Sequence, residues 1–277
     1  MLLNFITWNV SPEIFHISGL SIRWYGLLFA LGFYVGYLIM ERFFKKEGVP
    51  IPLLDKLAIY MIISTVIGAR LGHCLFYEPG DYLKHPLEIL YIWHGGLASH
   101  GAAVAIILAL VLYHRKTGLS YWWVLDRIVI VVALAGVFIR SGNLMNSEIY
   151  GHPTNLPWAF QFILNIQEWE KGAAPIYTVP SHPTQIYEAL GYLLIFFSLI
   201  KYYYMKDGKP KPGMIFGIFL IALFMVRFLI EFLKENQVNF ESNMSLNMGQ
   251  LLSIPFIIAG IVLVILSSKN KLEKGSI

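Results

Sequence analysis

Arg70, Arg140 and Arg227 are the residues best placed to do chemistry in this chain, because each sits in a stretch otherwise apolar enough to span a bilayer. A guanidinium at membrane depth costs at least about 2.5–3.5 kcal/mol on insertion scales, so it normally faces a cavity or a partner. All three come late in segments that would run the same way, which gathers them at one membrane face. His100 falls early in an oppositely running segment and reaches that layer too. Arg140 and Asn143 are three apart, on one face of a continuing helix. Asn146 and Glu148 follow as the chain reaches the surface; His182, Gln185 and Glu188 open the next segment, and Tyr25 opens the first. Together these groups make an anion-binding polar cavity with a histidine available as a base.

Each residue also has a purely structural reading. Arg227 and Glu231, spaced i, i+4, can form an ion pair within one helix. Arg70 can hold a carboxylate or helix carbonyls as a packing device. A single buried histidine is more often a hydrogen-bonded core residue, and Tyr25 beside Trp24 suits an interfacial aromatic belt. Asp126 reads as a helix-start or topology residue, Cys74 as a small packer, and Gly95, Gly96 and Gly101 as sites of close helix approach. What favours a site is the joint pattern, one layer holding cations, imidazole, amides and carboxylates.

The elements that must position these residues are membrane helices. The chain has 277 residues, 57% hydrophobic and only 14% charged, too apolar for an ordinary soluble domain. Seven apolar runs reach the roughly 20 residues that a bilayer demands. They lie near 24–40 (short, and expected to begin earlier, around Ile17), 57–77, 95–113, 121–143, 184–204, 213–233 and 248–267. Of 21 Lys+Arg, fourteen fall in or beside one set of alternate loops, four in the other (Arg23, Lys84, Lys171 and Lys234), and three within spans. The positive-inside rule then puts the N-terminus outside and the C-terminus in the cytoplasm, as an odd number of spans requires. The expected fold is an all-α integral membrane protein, one seven-helix domain over 1–277. Residues 147–183, rich in proline, form an irregular extracytoplasmic cap between spans four and five. The start lacks a basic region and a cleavage site, so no removable signal peptide is expected. One cysteine excludes a disulfide framework, and no basic run alternates with stacking aromatics, so nucleic acid is not an expected partner.

Several segments resemble the prolipoprotein diacylglyceryl transferase family. His94-Gly-Gly-Leu-Ala-Ser-His-Gly101 is similar to its Gly-Gly-Met-Ser-Phe-His-Gly-Gly motif. Arg140-Ser-Gly-Asn-Leu-Met-Asn-Ser-Glu-Ile-Tyr-Gly151 resembles its signature Gly-Arg-x-Gly-Asn-Phe-x-Asn-x-Glu-x-x-Gly, and His182-Pro-Thr-Gln-Ile-Tyr-Glu188 its His-Pro-Ser-Gln-Leu-Tyr-Glu element. Trp24-Tyr-Gly26, Gly68-Ala-Arg-Leu-Gly72, Arg227-Phe-x-x-Glu231-Phe and Met248-Gly-Gln-x-Leu-Ser-Ile-Pro255 agree as well, in order, from about 20 to 260. Departures are Ile139 for glycine, Leu144 for phenylalanine, Ser147 for glycine, Leu223 where many members have tyrosine, and Lys234 for arginine.

The resemblance implies a bacterial inner-membrane enzyme with its site toward the outer leaflet. Its substrates would be phosphatidylglycerol and the lipobox cysteine of prolipoprotein signal peptides; a thioether forms and glycerol phosphate leaves. A thiol of pKa about 8.5 needs a base or a positive field to react near neutral pH. His100 is the candidate base, with Glu148 or Glu231 behind it. Arg140 and Arg227 are assigned to the phosphate and its departing charge, and Arg70 to supporting electrostatics. Asn143, Asn146 and Glu148 would orient the headgroup, Tyr25 and His182 line the entrance, and Glu231 complete the binding set. No metal or other cofactor is expected, since the histidines lack ligand spacing. The competing class is an organic-anion transporter or channel using the same arginines; it would need access from both faces, and no internal repeat is visible. An intramembrane protease is a weaker rival, because no protease motif occurs.

Overall fold

The computed structural model describes residues 5–17, 20–91, 96, 98–235 and 245–272. In chain order the elements are β1 (Phe5–Thr7), β2 (Glu13–Ile17), β3 (Leu20–Arg23), α1 (Trp24–Glu47), α2 (Ile51–Phe76), the short α3 (Pro79–Tyr82), a 3₁₀ turn at Pro86–Leu90, α4 (Ser99–Thr117), α5 (Tyr121–Met145), β4 (Ala159–Gln161), the short α6 (Ile166–Trp169), α7 (Thr184–Met205), α8 (Met214–Glu231) and α9 (Met248–Ser268). Six of these helices (α1, α2, α5, α7, α8 and α9) are long and apolar enough to cross a membrane, so this is a helical membrane protein. α4 is not among the six: His100 lies near its start and His114, Arg115 and Lys116 crowd its last turn.

The described residues divide into two compact units, one running to Gly36 and resuming at Asp126–Leu272, the other Tyr37–Leu125. In the second unit, α2 and α4 approach on glycine. A Cβ on Gly68, Gly72 or Gly101 would collide with the facing helix backbone, so only hydrogen fits at that crossing. The opposite stripe of α2 (Ile59, Ile63, Ile67, Leu71 and Leu75, one turn apart) is exposed, an apolar face suited to lipid chains.

In the first unit the helix ends are held by side chains from other helices. Asp126 of α5 is fully buried and accepts the Gly213 and Phe216 backbone N–H groups, each at 2.8 Å. It thereby satisfies two orphan donors of the α8 N-terminus and its positive dipole end. Arg127, 3% exposed, donates to the Gly208 carbonyl at 2.8 Å. α9 begins with a capping box between Asn247 and Gln250. Its internal Pro255 is tolerable where neighbouring groups can serve the freed carbonyl.

The helical fold also carries two small sheets, β1 paired in parallel with β4 and β2 antiparallel with β3. Two expectations need correction. The first span does not begin near Ile17: that stretch is the β2–β3 hairpin, and α1 starts at Trp24 and runs on to Glu47, past the apolar run. Nor is 147–183 irregular throughout. β4 and bridges such as Ile163↔Tyr177 order it around buried Ala159, Phe162 and Ile163, and Tyr150 stacks on Phe162 at 5.1 Å between ring centroids. Strands β1 and β4, of three residues each, leave almost no alternation to read, and they pair across more than 150 residues of sequence.

Candidate active site

The last turn of α5 carries the first half of the site. Arg140 Nη1 donates to Asn143 Oδ1 at 3.0 Å, one turn along the helix. Asn143 Nδ2 donates to Glu148 Oε1 at 2.7 Å, and Asn146 Nδ2 to the same oxygen at 3.2 Å. Glu148 can face back toward the helix it follows because both its neighbours turn left-handed, Ser147 at φ 54° and Ile149 at φ 61°. Such a conformation strains a serine and is a marked outlier for β-branched isoleucine. The start of α7 holds the strained turn down: Gln185 Nε2 donates to the Glu148 carbonyl at 2.6 Å, and Thr184 Oγ1 to that of Ile149 at 2.7 Å. Both side chains come from fully buried residues.

The second half is a buried charge network contributed by α5, α7 and the end of α8. Arg140 Nε lies 2.7 Å from Glu188 Oε2, close enough to pair but off the hydrogen-bond axis. Lys234 Nζ sits 3.1 Å from Glu188 Oε1 and 3.2 Å from Glu231 Oε2. Glu188 is 0% and Lys234 3% exposed, so neither charge is solvated and each depends on the other. Glu231 packs on the first turn of α9, where a Cβ on Gly249 would strike its carboxylate. A helix N-terminus favours that negative charge. Two cations and two carboxylates therefore balance. Arg227, half-buried, forms no ion pair among the described residues, and its charge acts on the Tyr192 phenol.

Tyr25 belongs to the same site. Its ring lies on Gly142, where a Cβ would meet Tyr25 Cδ2 at 2.7 Å, and the phenol feels the charges of Glu148 and Arg140. Asn146, Ser147 and Glu148 also line a cavity of about 460 Å³ with Arg23 and residues 163–168. His182 stands beside the network. Its backbone exchanges bonds with Gly151 and His152, and Nδ1 lies 3.3 Å from the Tyr187 hydroxyl. Burial, and then the neighbouring His152, hold its imidazole below the ordinary 6.5.

Arg70 and His100 lie in the other unit. Arg70 is 3% exposed and donates to three carbonyls: Ile89 at 2.9 Å, Glu88 at 2.6 Å and Gly96 at 3.3 Å. Its guanidinium also stands 4.9 Å from the Tyr82 ring centroid. His100, in the first turn of α4, is exposed. Of the motif containing it, His94, Gly95 and Leu97 lie outside the described residues.

The structure thus brings together Arg140, Asn143, Asn146, Glu148, Tyr25 and Glu231. Glu188, which the sequence places in the polar layer without a role of its own, is at the centre of the network, and the structure adds two residues that the sequence reading does not assign to the site. Tyr192 sits four residues after Glu188, on the same face of α7. Lys234, which the sequence places in an outer loop, does follow the end of α8 but is buried there, and its place three residues after Glu231 is the available clue.

The family profile for prolipoprotein diacylglyceryl transferase matches residues 12–266. Relatives named phosphatidylglycerol–prolipoprotein diacylglyceryl transferase include that of Tolumonas auensis, 44% identical over 265 residues, covering 95% of this chain and 98% of the relative. That of Chloroherpeton thalassium is 44% identical over 275 residues, covering 99% and 98%. That of Porphyromonas gingivalis is 45% identical over 277 residues, covering 98% and 97%.

Proposed function

This chain belongs to the prolipoprotein diacylglyceryl transferase family, and from that premise we propose how its residues carry the transfer. The donor is phosphatidylglycerol and the acceptor is the lipobox cysteine thiol of a prolipoprotein. The thiolate attacks the glyceryl carbon bearing the phosphate ester. A C–S bond forms as the C–O bond breaks, the electron pair leaves on the phosphate oxygen, and glycerol phosphate departs. The thiol proton goes to a base.

The observation that carries this reading is the charge balance around Glu188. Lys234 and Arg140 are already matched by Glu188 and Glu231, so they form a fixed frame, and Arg227 keeps a cation for an incoming phosphate. Preset cations in a dry site stabilise developing charge without reorganising. Arg140 contributes to the same anion through guanidinium edges that Glu188 and Asn143 hold in place. Asn143, Asn146 and Glu148 orient the glycerol hydroxyls, and Tyr25 and His182 line the entrance. Of the candidate bases, Glu148 already accepts two amide bonds and Glu231 is paired with Lys234. His100, exposed in the matching motif, remains the base of choice, with Arg70 holding the segment before it.

The enzyme sits in the bacterial inner membrane as a single domain, α4 serving as a seventh span, with the N-terminus outside and the C-terminus in the cytoplasm. The site faces the outer leaflet beneath the 147–183 cap. The lysines at 201–211 and after Ser268 support that orientation. The relatives are transferases, and no observation favours the anion-transporter reading.

The test is direct. The full chain in detergent, given labelled phosphatidylglycerol and a lipobox peptide, should increase the peptide mass by one diacylglyceryl group; a folded protein giving no increase would overturn the assignment. His100→Gln should abolish turnover while the protein stays folded, and near-normal turnover would remove His100 as base.

A further inference from the structure

Tyr192 is 5% exposed, near the middle of the site's buried layer, and none of the roles above uses it. The geometry seats it deliberately. Its ring lies on Gly136 of α5, where a Cβ would meet Tyr192 Cδ2 at 2.8 Å. Gly136 is one helical turn before Arg140, and Tyr192 one turn after Glu188. The Arg140–Glu188 pair and the Gly136–Tyr192 contact are therefore successive rungs between the same two helices. On the other side, a Cβ on Gly191 would meet Val226 Cγ1 at 2.8 Å, so α7 and α8 are in close contact beside Tyr192 and next to Arg227. Helical side chains lean toward the helix N-terminus, which for Tyr192 is the direction of Glu188 and Arg140. The phenol accordingly lies on the side of Arg140 and Arg227, where the charges of both act on it.

We propose that Tyr192 is a positioning residue for the transfer: its phenol oxygen joins Arg140 of α5 to Arg227 of α8 and fixes the spacing at which both meet one phosphate. This rests on the phosphate role given to the two arginines. A hydroxyl suits the task because it accepts from a guanidinium without adding a charge to a balanced frame. The same reading accounts for a departure in the sequence. Family members often carry a tyrosine four residues before the Arg227 position, where this chain has Leu223; here the phenol comes from the neighbouring helix.

Tyr192→Phe keeps the ring on Gly136 and removes only the oxygen. In full-length protein with labelled phosphatidylglycerol and a lipobox peptide, kcat should fall about tenfold or more, the loss expected for one charge-assisted hydrogen bond. KM for the lipid should change much less, and the melting midpoint in detergent should stay at the wild-type value. Adding Leu223→Tyr to Tyr192→Phe should recover most of the lost kcat. Wild-type kcat in Tyr192→Phe overturns the proposal, as does a loss that tracks a lowered melting midpoint, or one that Leu223→Tyr leaves uncorrected. An inactive wild-type chain would instead strike the transferase reading itself, so the two failures are distinguishable.

Discussion

Arg70 and Arg140 have the same sequence context, one guanidinium late in an apolar helix, and opposite surroundings. Arg70 donates to three backbone carbonyls that follow its helix and faces an aromatic ring. These bonds tether Glu88, Ile89 and Gly96 to α2. Arg140 meets side chains instead, a carboxylate at 2.7 Å and an amide at 3.0 Å, each linked to further polar groups. A carbonyl only anchors the donor that reaches it, whereas a carboxylate and an amide together hold the Arg140 guanidinium in a set plane for a third ion. A buried arginine marks function when its partners are themselves in a network, and marks architecture when they are backbone.

The sharpest way to break this contrast is to shorten the fork at both places. Arg140→Lys keeps the charge and loses the second arm, and should lower kcat/KM at least about a hundredfold, as for loss of a preorganised donor at developing charge. Arg70→Lys should leave turnover per folded molecule within about threefold, since its charge is not asked to receive the phosphate. Equal losses at the two sites, measured on detergent-purified protein normalised for folded fraction, would dissolve the distinction.

Stability should show the reverse emphasis. Lys234→Met leaves Glu231 without its cation and Glu188 with Arg140 alone, and breaking a buried pair costs about 3–5 kcal/mol. Lys234→Arg, which restores the residue common in the family, should melt near wild type. Arg70→Met orphans the carbonyls it serves, at about 1–3 kcal/mol for each one that water cannot reach. Thermal melts of the three variants order these effects, and a Lys234→Met protein as stable as wild type would mean that the network is not closed.

Much of this was legible beforehand, for identifiable reasons. Arg140, Asn143 and Glu148 share one helix end and its following turn, so spacing alone predicts their neighbourhood. Helices α5, α7 and α9 fall within a few residues of the apolar runs. α1 was under-read because it stays helical past its apolar stretch, through Glu41 and Lys45, which pair at 2.8 Å. The burial of Lys234 is not legible because a lysine just beyond a span looks like surface charge, and only the convergence of α7 with the end of α8 buries it. Glu188 and Tyr192 needed the packing of α5 on α7, which no local pattern encodes.

The signature turn sharpens the contrast on a smaller scale. The family pattern places glycine where this chain has Ser147, and the φ of 54° there explains the preference. Ser147→Gly should relieve about 1 kcal/mol of left-handed strain, less what the freer unfolded chain regains, and raise the melting midpoint slightly. Turnover should be unchanged, because Gln185 and Thr184 still hold the turn by its carbonyls. A fall in turnover would mean that the strain itself aims Glu148.

The smallest effect is expected at His182, beside the buried network. Burial and His152 keep its imidazole neutral to lower pH than the ordinary 6.5. Between the lowered folded value and 6.5, the unfolded chain binds the proton more readily than the folded one, so protonation pulls toward unfolding. The stability tied to neutral His182 is complete above 6.5, declines as the pH falls through 6.5, and stops declining once the folded form is protonated too. His182→Gln should therefore flatten the acid side of a melting-midpoint profile taken from pH 8 to pH 5. An acid limb identical in the variant would move this pH dependence from His182 to another group, with His152 next to be replaced.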